Sequence, residues 1–458
     1  MDEYPTPAIR QDKHQSAHPA QNNIDQQTLP PKATGKGMLF YQACCVFFIA
    51  AWLIFNALTV YPYESIPDRR KDQFAETSAH LIAPLPYSYP GIGTGFFLLG
   101  NFSNIYDTTT DFLALDIVGD AGGYILQLDE APLIDERLFV QLYYEHIDRA
   151  VVNNYNKRGM KGTGENDFTL LDISLSQTKS ILFDLTFFDR RLDLFLSYRE
   201  SEYEIQAIRD HNGHVITALD EPFRGRETNE LFGVSVDLTD DYLDPRRGVR
   251  FKLTYQDRPA QLANDASYYT LDYNLLLYMP MFKADTLVFN YYQSDAHVSA
   301  KGNTNASDIR QELNFNCAPT DTACLQSEQE IVDIIINQRS NGTATSVGGR
   351  DRLRSYPQGR FQGGHSAFIG AEYRWNFKQE VAPFNYLFWK DVRTGVQIAF
   401  FAEMATVSES RDELWDETRQ SYGTGLRLVA KSGAVYRADL AFGDEGTELV
   451  VFFFYPWN

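Results

Sequence analysis

Residues 171–176 read Leu-Asp-Ile-Ser-Leu-Ser, in which apolar and polar side chains alternate with a period of two. Successive side chains of a β-strand point to opposite faces, so this stretch predicts a strand with one apolar and one polar face. The same alternation recurs from about residue 91 to the end of the chain, for example at 192–199, 422–428 and 436–442. Charged residues occupy many of the polar faces, which implies a sheet closed around a wet, polar lumen.

Turn signals divide this region into segments of about 9 to 11 residues, the length that a tilted strand needs to cross a membrane. The fold class is therefore predicted to be all-β: a transmembrane antiparallel β-barrel of about 16 strands, an even number as in single-chain bacterial barrels. The predicted strands start near residues 93, 111, 123, 137, 168, 180, 191, 231, 249, 267, 285, 366, 394, 421, 434 and 447. Short connections are assigned to the periplasmic side and long ones to the outside. The stretch 150–166 departs from this order, because it is long where a periplasmic turn is predicted.

The composition is compatible with such a barrel and excludes one class of function. The chain has 458 residues, of which 14% are aromatic, and only one segment is long and continuously apolar. A net charge of -20 argues against nucleic-acid binding, because proteins that neutralise phosphates carry clustered Lys and Arg.

The first 90 residues are predicted to lie outside the barrel. Residues 1–37 are polar, which predicts a disordered extension or a mis-assigned start, since Met38 can begin the chain. An apolar run predicts a signal peptide at 38–60, with a short transmembrane helix as the alternative. Residues 61–90 contain five prolines and are predicted to be a linker, so the outer-membrane barrel is assigned to 91–458.

Two cysteines, Cys317 and Cys324, lie in a polar loop outside the apolar run. An even pair separated by so few residues predicts a disulfide formed in an oxidising compartment. The alternatives are a metal site, for which no histidine lies nearby in sequence, and two free thiols.

Motifs for catalysis and for bound cofactors are absent from the sequence. Residues 364–368, Gly-His-Ser-Ala-Phe, lack the second glycine of a nucleophile elbow, and neither an HExxH motif nor a phosphate-binding loop occurs. His211 and His214 flank Asn-Gly, and a hairpin tip explains them better than metal binding does. We therefore expect no enzymatic activity, no cofactor and no metal site.

Four patches follow one another in an order typical of one family. They are Asp-Pro-Arg-Arg-Gly-Val at 244–249; Leu-Arg-Ser-Tyr at 353–356, followed by Gly-Gly at 363–364 and Glu-Tyr-Arg at 372–374; Phe-Phe-Ala-Glu-Met-Ala at 400–405; and Tyr-Gly-Thr-Gly-Leu-Arg at 422–427. They resemble the Pro-x-x-Gly turn, the VRG(F/Y) loop with the carboxylate-bearing strand after it, the F-x-D-x-G strand and the G-x-G-hydrophobic-Arg strand of the BamA/TamA superfamily, also called the bacterial surface antigen family. The resemblance covers about 90–458 and is sharpest from residue 231 onward.

The chain departs from the family pattern at three motif positions. Ser355 and Ala405 stand where the motifs have Gly, and Glu403 stands where they have Asp. Family members usually carry periplasmic POTRA domains, and the stretch 61–90 is too short for one. The resemblance therefore implies a short member without POTRA domains.

The resemblance implies a long loop folded back into the lumen. There Arg354 pairs with Glu372 and Glu403 on the next two strands, and Tyr356 belongs to the same lock. An arginine between two acids in a partly desolvated space gains charge-assisted, bidentate hydrogen bonds. Such a lock plugs and stiffens the barrel, which we favour over a direct role in transport. The stretch 330–336 of the same loop is expected to form a short helix or strand that caps the mouth.

The function implied by the resemblance is the insertion or passage of protein or lipid at a seam between the first and last strands, where a client strand can add to the sheet. Gly91, Gly93 and Gly95 are expected to weaken the first strand, and Phe454 is assigned to the last. A passive diffusion pore is the alternative, and a surface enzyme is a third hypothesis that lacks a site.

The expected location is the bacterial outer membrane, crossed many times. The expected partners are outer-membrane lipid and lipopolysaccharide, a protein or lipid client and a separate periplasmic partner, but no nucleic acid.

Export should oxidise Cys317 and Cys324 to a disulfide. Closing so short a loop contributes about 2 to 3 kcal/mol at most, so the bond should order the loop more than it stabilises the barrel. Mass spectrometry of the exported protein, alkylated without reduction, should find both thiols protected. Full alkylation of both cysteines would contradict the pairing.

Overall fold

Sixteen antiparallel strands form one closed sheet, in which each barrel strand pairs with the next and the last returns to the first. The computed structural model describes residues 66–74, 77–155, 157–160, 166–282, 284–312, 319–320, 322–379, 384–392, 394–430 and 435–457. The predicted N-terminal extension, the predicted signal peptide and Cys317 lie outside the described residues, and so does the side chain of Cys324.

The barrel strands are numbered in chain order, together with one small hairpin. They are β1 (Ala79–Tyr89), β2 (Gly93–Ser103), β3 (Asp111–Gly119), β4 (Gly122–Ile134), β5 (Leu138–Asn154), β6 (Thr169–Phe187), β7 (Leu192–Arg209), β8 (Val215–Thr239), β9 (Gly248–Arg258), β10 (Ser267–Met281), β11 (Asp285–Ala300), β12 (His365–Gln379), β15 (Thr394–Ser408), β16 (Arg419–Ala430), β17 (Val435–Gly443) and β18 (Gly446–Phe453). The hairpin consists of β13 (Phe384–Tyr386) and β14 (Trp389–Val392) and lies between β12 and β15, which pair directly with each other.

The predicted barrel is confirmed. The predicted number of strands is also correct, but only because one strand was missed and another was divided in two. The segment 61–90, predicted to be a linker, contains β1, because Pro84 and Pro86 conceal its alternation. The strands predicted at 168 and 180 are a single strand, β6, which is 19 residues long. A third error concerns β8, which begins at Val215 and not at 231.

Side chains alternate between the two faces of the sheet as the sequence predicts. Tyr422, Leu426 and Leu440 are exposed on the outer face, where apolar side chains meet lipid. On β17 the intervening Arg437 and Asp439 face inward and have no exposed surface. The prediction of a wet lumen is therefore wrong for this part of the barrel, because protein fills the space and seals the charges.

The two rims of the barrel differ in the length of their connections. The turns after β4, β6 and β8 lie at the rim where β1 begins, called here the short-turn rim, where the β12–β15 connection with its hairpin is the long exception. The longer connections after β5, β11 and β15 lie at the opposite rim, called here the long-loop rim. The stretch 150–166 now falls on the long-loop rim, because β1 adds one strand before it. Its departure from the predicted order was a consequence of the missed strand.

The connection between β11 and β12 carries two helices, α1 (Ala306–Glu312) and α2 (Thr322–Asn341), and then enters the barrel. The stretch 330–336 lies within α2, so the helical alternative of its prediction is the one observed. After α2, the side chains of Leu353, Tyr356 and Phe361 are buried in a core cluster with apolar side chains of β10, β11 and β12. No helix in the described part of the chain is long and apolar enough to cross a membrane.

The segment 66–74, which precedes β1, is held against the short turns by arginines. Arg69 Nη2 donates to the carbonyl oxygens of Asp189 and Arg190, in the β6–β7 turn, at 2.8 Å each. Arg70 Nη2 donates to the carbonyl oxygen of Asp244, in the β8–β9 turn, at 2.5 Å. Burial alone would raise the pKa of the Asp244 carboxyl, but the surrounding guanidinium groups hold it below its ordinary value. These contacts make the segment part of the folded barrel unit.

Closure of the sheet should make migration on a gel depend on heating. A barrel whose strands are all paired unfolds cooperatively and resists detergent until it is boiled, because few backbone groups are open to attack. We expect an unboiled sample to migrate faster than a boiled one, and the protein to fractionate with the outer membrane. Identical migration of the two samples, with a known barrel as the positive control, would contradict the closed sheet.

Candidate functional site: a charged lock in the lumen and the seam beside it

Arg354 lies in the lumen and contacts carboxylates on three strands. The preceding residue, Leu353, turns the chain with a positive φ of 57°. Arg354 Nε donates to Glu403 Oε1 on β15 at 2.8 Å, and the backbone N–H of Arg354 donates to Oε2 of the same carboxylate at 2.8 Å. Arg354 Nη1 donates to Asp439 Oδ2 on β17 at 2.7 Å and to Glu372 Oε2 on β12 at 3.3 Å. The structure thus brings together Arg354, Glu372 and Glu403 and adds Asp439 to them.

Glu372 is shared by three arginines. Arg427 on β16 binds it with two hydrogen bonds of 2.5 Å, one to each carboxylate oxygen. Arg374, two residues along β12 and therefore on the same face, donates Nε to Glu372 Oε1 at 2.8 Å. Paired contacts between guanidinium and carboxylate are among the strongest hydrogen bonds in proteins. Both arginines lie in the family-like patches, although neither is among the predicted site residues.

Asp439 is the one carboxylate of the site that was not predicted from the sequence. It accepts from Arg354 and, at 2.5 Å, from Arg437 Nη1. The alternation on β17 predicts that Arg437 and Asp439 face the lumen, but it does not say what they meet there. Asp439 lies 85 positions after Arg354 in sequence and in none of the four patches. The pairing of β16 with β17 is what brings it to the lock.

Aromatic side chains seal these charges from water. The three carboxylates and their arginines have no exposed side-chain surface, except for 3% at Arg374. The ring of Phe401 is centred 3.4 Å from Arg354 Cζ, and Trp457 Nε1 donates to Glu403 Oε1 at 3.2 Å. A buried charge that loses its partner costs several kcal/mol, so each member of this cluster depends on the others.

Neighbouring residues accommodate the serine that replaces the motif glycine. The backbone N–H of Ser355 donates to Ser421 Oγ at 3.0 Å. A Cβ at Gly443 would lie 2.2 Å from Ser355 Oγ, so glycine at 443 leaves room for the hydroxyl. Tyr356 is fully buried, and its hydroxyl accepts from the backbone N–H of Asp444 at 3.3 Å. The predicted lock residue Tyr356 therefore lies beside the connection of β17 to β18.

The same loop ties together the strands on the two sides of the seam. The backbone N–H of Gln358 donates to the carbonyl oxygen of Pro90, directly after β1, at 3.0 Å. Arg360 donates two hydrogen bonds of 2.8 Å to Glu445, between β17 and β18. The loop therefore bridges the seam at the long-loop rim.

Among the described residues, β1 and β18 are joined by one residue pair, Ser88 with Val451. By contrast, β1 pairs with β2 at eleven positions and β17 with β18 at eight. β18 ends at Phe453, after which the chain turns into the lumen, where Trp457 is only 1% exposed. The half of β1 nearer the short-turn rim therefore extends past the end of β18.

The glycines that were predicted to weaken the first strand lie elsewhere. Gly91 is in the turn between β1 and β2, and Gly93 and Gly95 are on β2, away from the seam. Phe454 follows the last residue of β18 and has a positive φ of 67°. This correction has the same cause as the missed strand, since β2 was taken for the first strand.

Removing either partner of the Arg354 and Glu403 pair should loosen the lumen loop. We expect Arg354→Ala and Glu403→Ala each to destabilise the barrel by about 3 kcal/mol, because each leaves a buried charge without its partner. The double variant should lose less than the sum, since both single changes break one interaction. Denaturation in detergent micelles and proteolysis of residues 301–364 measure the effects. Arg360→Ala is the control: with Glu403→Ala it should add fully, whereas full additivity for Arg354 and Glu403 would exclude their coupling.

Comparison with known proteins identifies the family of the chain. A family model described as the Omp85 superfamily domain matches residues 140–448. Among solved structures, the chain is similar to BamA from Haemophilus ducreyi lacking POTRA domains 1–3, with a TM-score of 0.43 and 12% identity over 84% of this chain and 69% of that one. It is also similar to CdiB from Escherichia coli, with a TM-score of 0.44 and 10% identity over 82% of this chain and 61% of that one. A comparison with curated proteins finds no match. Because the family model spans more than half of the chain, this protein belongs to the Omp85 superfamily of bacterial outer-membrane β-barrels.

Proposed function

We propose that this barrel inserts or passes a protein or lipid client across the outer membrane through the seam between β1 and β18. The observation that carries the proposal is the single residue pair, Ser88 with Val451, that joins these strands among the described residues. The hydrogen bonds of one pair contribute about 1 kcal/mol, whereas separating the eleven pairs of β1 and β2 would cost roughly ten times as much. The seam is therefore where the sheet opens most easily.

Side-chain contacts add to this single backbone pair. Phe97 on β2 packs against Phe452 and Phe453. Arg350 lies over the rings of both Tyr89 and Phe452. The rings of Tyr89 and Phe452 lie 5.3 Å apart across the seam, and Tyr436 Oη donates to the carbonyl oxygen of Pro86 at 2.6 Å. An opened seam presents unpaired backbone groups to the bilayer, where a client strand or a lipid headgroup can satisfy them. This chemistry suits lateral insertion.

The packed lumen favours the seam over a passive pore. The Arg354 cluster has no exposed side-chain surface, and the loop that carries it is anchored at both sides of the seam. A continuous aqueous path through this part of the lumen would require buried charges to separate, at a cost of several kcal/mol each. The proposal assigns the cluster the role of a lock that plugs and stiffens the barrel while the seam works.

The outer apolar face of the barrel and the seam each indicate a partner in this proposal. Outer-membrane lipid and lipopolysaccharide meet the outer apolar face, which includes exposed Phe96, Leu98 and Phe400. The client meets the seam, and a separate periplasmic partner delivers it to the short-turn rim. No catalytic step and no cofactor are part of the proposal.

A disulfide across the seam should block this function reversibly. Ser88→Cys with Val451→Cys, in a background where Cys317 and Cys324 are serine, joins the two strands at their one pair. We expect the oxidised variant to fail to complement a deletion strain, measured by the protein and lipid content of its outer membrane, and the reductant to restore complementation. The matched control is Ser88→Cys with Thr94→Cys, which ties the same residue to its existing partner on β2 and should remain active.

Conductance in a planar bilayer distinguishes the passive pore from the lateral route through the seam. A passive pore should give a large, steady, ion-permeable state that the seam disulfide leaves unchanged. Such a state, together with full complementation by the oxidised seam variant, would exclude the lateral route.

A further inference from the structure

The hairpin of β13 and β14, residues 384–392, pairs with the part of β1 that extends past β18. We call it the seam hairpin. His80 lies opposite Lys390 and Leu81 lies opposite Trp389, in antiparallel register. The seam hairpin starts between β12 and β15, so it reaches β1 past three intervening strands, β16, β17 and β18. It thus takes the position along β1 that the end of β18 leaves open.

Side-chain and backbone hydrogen bonds fasten this contact. The N–H of Ile82 donates to the carbonyl oxygen of Phe388 at 3.3 Å, and Trp389 Nε1 donates to the carbonyl oxygen of Ile82 at 2.9 Å. Lys390 Nζ donates to Ser78 Oγ at 2.9 Å. The seam hairpin is therefore docked as an added strand, and Ile82 is the centre of the contact.

Two prolines limit where any strand can add to this edge. In a strand, alternate residues direct their backbone groups to the same side, so Ile82, Pro84, Pro86 and Ser88 all face the seam. The bond from Tyr436 Oη to the carbonyl oxygen of Pro86 agrees with this assignment. Proline has no N–H, so the edge has no donor at 84 and 86. Along the part of β1 that β18 leaves open, a strand can therefore pair fully only near His80 and Ile82, the place that the seam hairpin occupies.

The tip of the seam hairpin is apolar and exposed. Leu387 is 78% exposed and Phe388 is 63% exposed, next to the indole of Trp389. An exposed apolar tip of this kind suits the membrane interface, where aromatic side chains are enriched. Among the described residues, two residue pairs join the seam hairpin to β1, whereas eleven join β1 to β2, so the hairpin can leave the edge more easily than a barrel strand can.

We infer that the seam hairpin is a built-in, displaceable occupant of the β1 edge around His80 to Ile82, so that this edge is free only when the hairpin has left it. This inference rests on the proposed function and names the regulation of its site: the seam hairpin occupies the part of β1 that an extended client segment needs. While the seam hairpin is docked, the half of the seam nearer the short-turn rim is closed. When the hairpin leaves, the edge of β1 around His80 to Ile82 is exposed and this half of the seam opens.

A disulfide that fixes the seam hairpin in place tests this directly. His80→Cys with Lys390→Cys, in the background without Cys317 and Cys324, joins two residues that lie opposite each other. We expect efficient cross-linking by a mild oxidant in intact outer membranes, and loss of complementation that a reductant reverses. The matched control is His80→Cys with Phe102→Cys, which ties the same residue to β2 and should stay active when oxidised.

The outcomes separate this inference from the proposed function. If the Ser88 to Val451 disulfide blocks activity but the His80 to Lys390 disulfide does not, the seam works and the inference about the seam hairpin is wrong. If neither disulfide blocks activity, the proposed function fails first. Failure of the His80 to Lys390 pair to cross-link would also overturn the inference, because the docked state would not be populated.

A second measurement does not depend on activity. Ile82→Pro removes the N–H that Phe388 accepts while leaving the face toward β2 unchanged, as Pro84 and Pro86 already do. We expect it to slow cross-linking of the His80 to Lys390 pair by roughly fivefold, the factor for one lost hydrogen bond. The same change should leave cross-linking of the His80 to Phe102 pair unaltered. Equal rates with and without Ile82→Pro would show that the seam hairpin is not docked as an added strand.

Discussion

A guanidinium group sealed from water needs hydrogen-bond acceptors and a compensating negative charge. In this barrel the position of the lumen loop depends on how Arg354 meets that need. The group is held by Glu372, Glu403 and Asp439, which come from three different strands. Desolvation of these charges is costly, and only good geometry with full hydrogen bonding offsets it. The position of the loop and the register of β12, β15 and β17 are therefore determined together.

Sealing the lock has a consequence for the edge of the sheet. Trp457 lies against the cluster, donates to Glu403 and is held by Asn274, whose amide donates to the carbonyl oxygen of Trp457 at 2.8 Å. To bring Trp457 there, the chain leaves the sheet after Phe453, and β18 is only 8 residues long. The short last strand leaves half of β1 beyond its end. One interior contact thus accounts for the place where the described barrel strands share the fewest residue pairs.

The departures from the family pattern make sense only in the packed lumen. Glu403 is one methylene longer than aspartate, and its two oxygens bind the backbone and the guanidinium of Arg354 as well as the indole of Trp457. Ser355 is tolerated because Gly443 offers no side chain opposite it. Both residues are thus accommodated by contacts with residues that are distant in sequence.

Sequence by itself determined the class of fold and the inward face of the strands with regular alternation, and the family resemblance indicated Arg354, Glu372 and Glu403 of the charged cluster. Alternation with a period of two is a local property, and each of the patches that contain Arg354, Glu372 and Glu403 is a short continuous stretch of sequence. The strand β1 was not predicted, because prolines such as Pro84 and Pro86 are typical of linkers. Only the pairing of the whole sheet shows that these two prolines face the side of β1 where no N–H is needed. The prediction also divided β6 in two, since strand length is set by the tilt and pairing of the whole sheet.

Only the tertiary structure decided which distant residues meet. Asp439 joins Arg354 because β16 and β17 pair in one register, and nothing near Asp439 in sequence records that contact. The seam hairpin meets β1 because β18 ends early, which in turn follows from the path of the chain into the lumen. The physical reason is the same in each case: local patterns state which face a side chain takes, whereas closure of the sheet and burial of charge choose its partner.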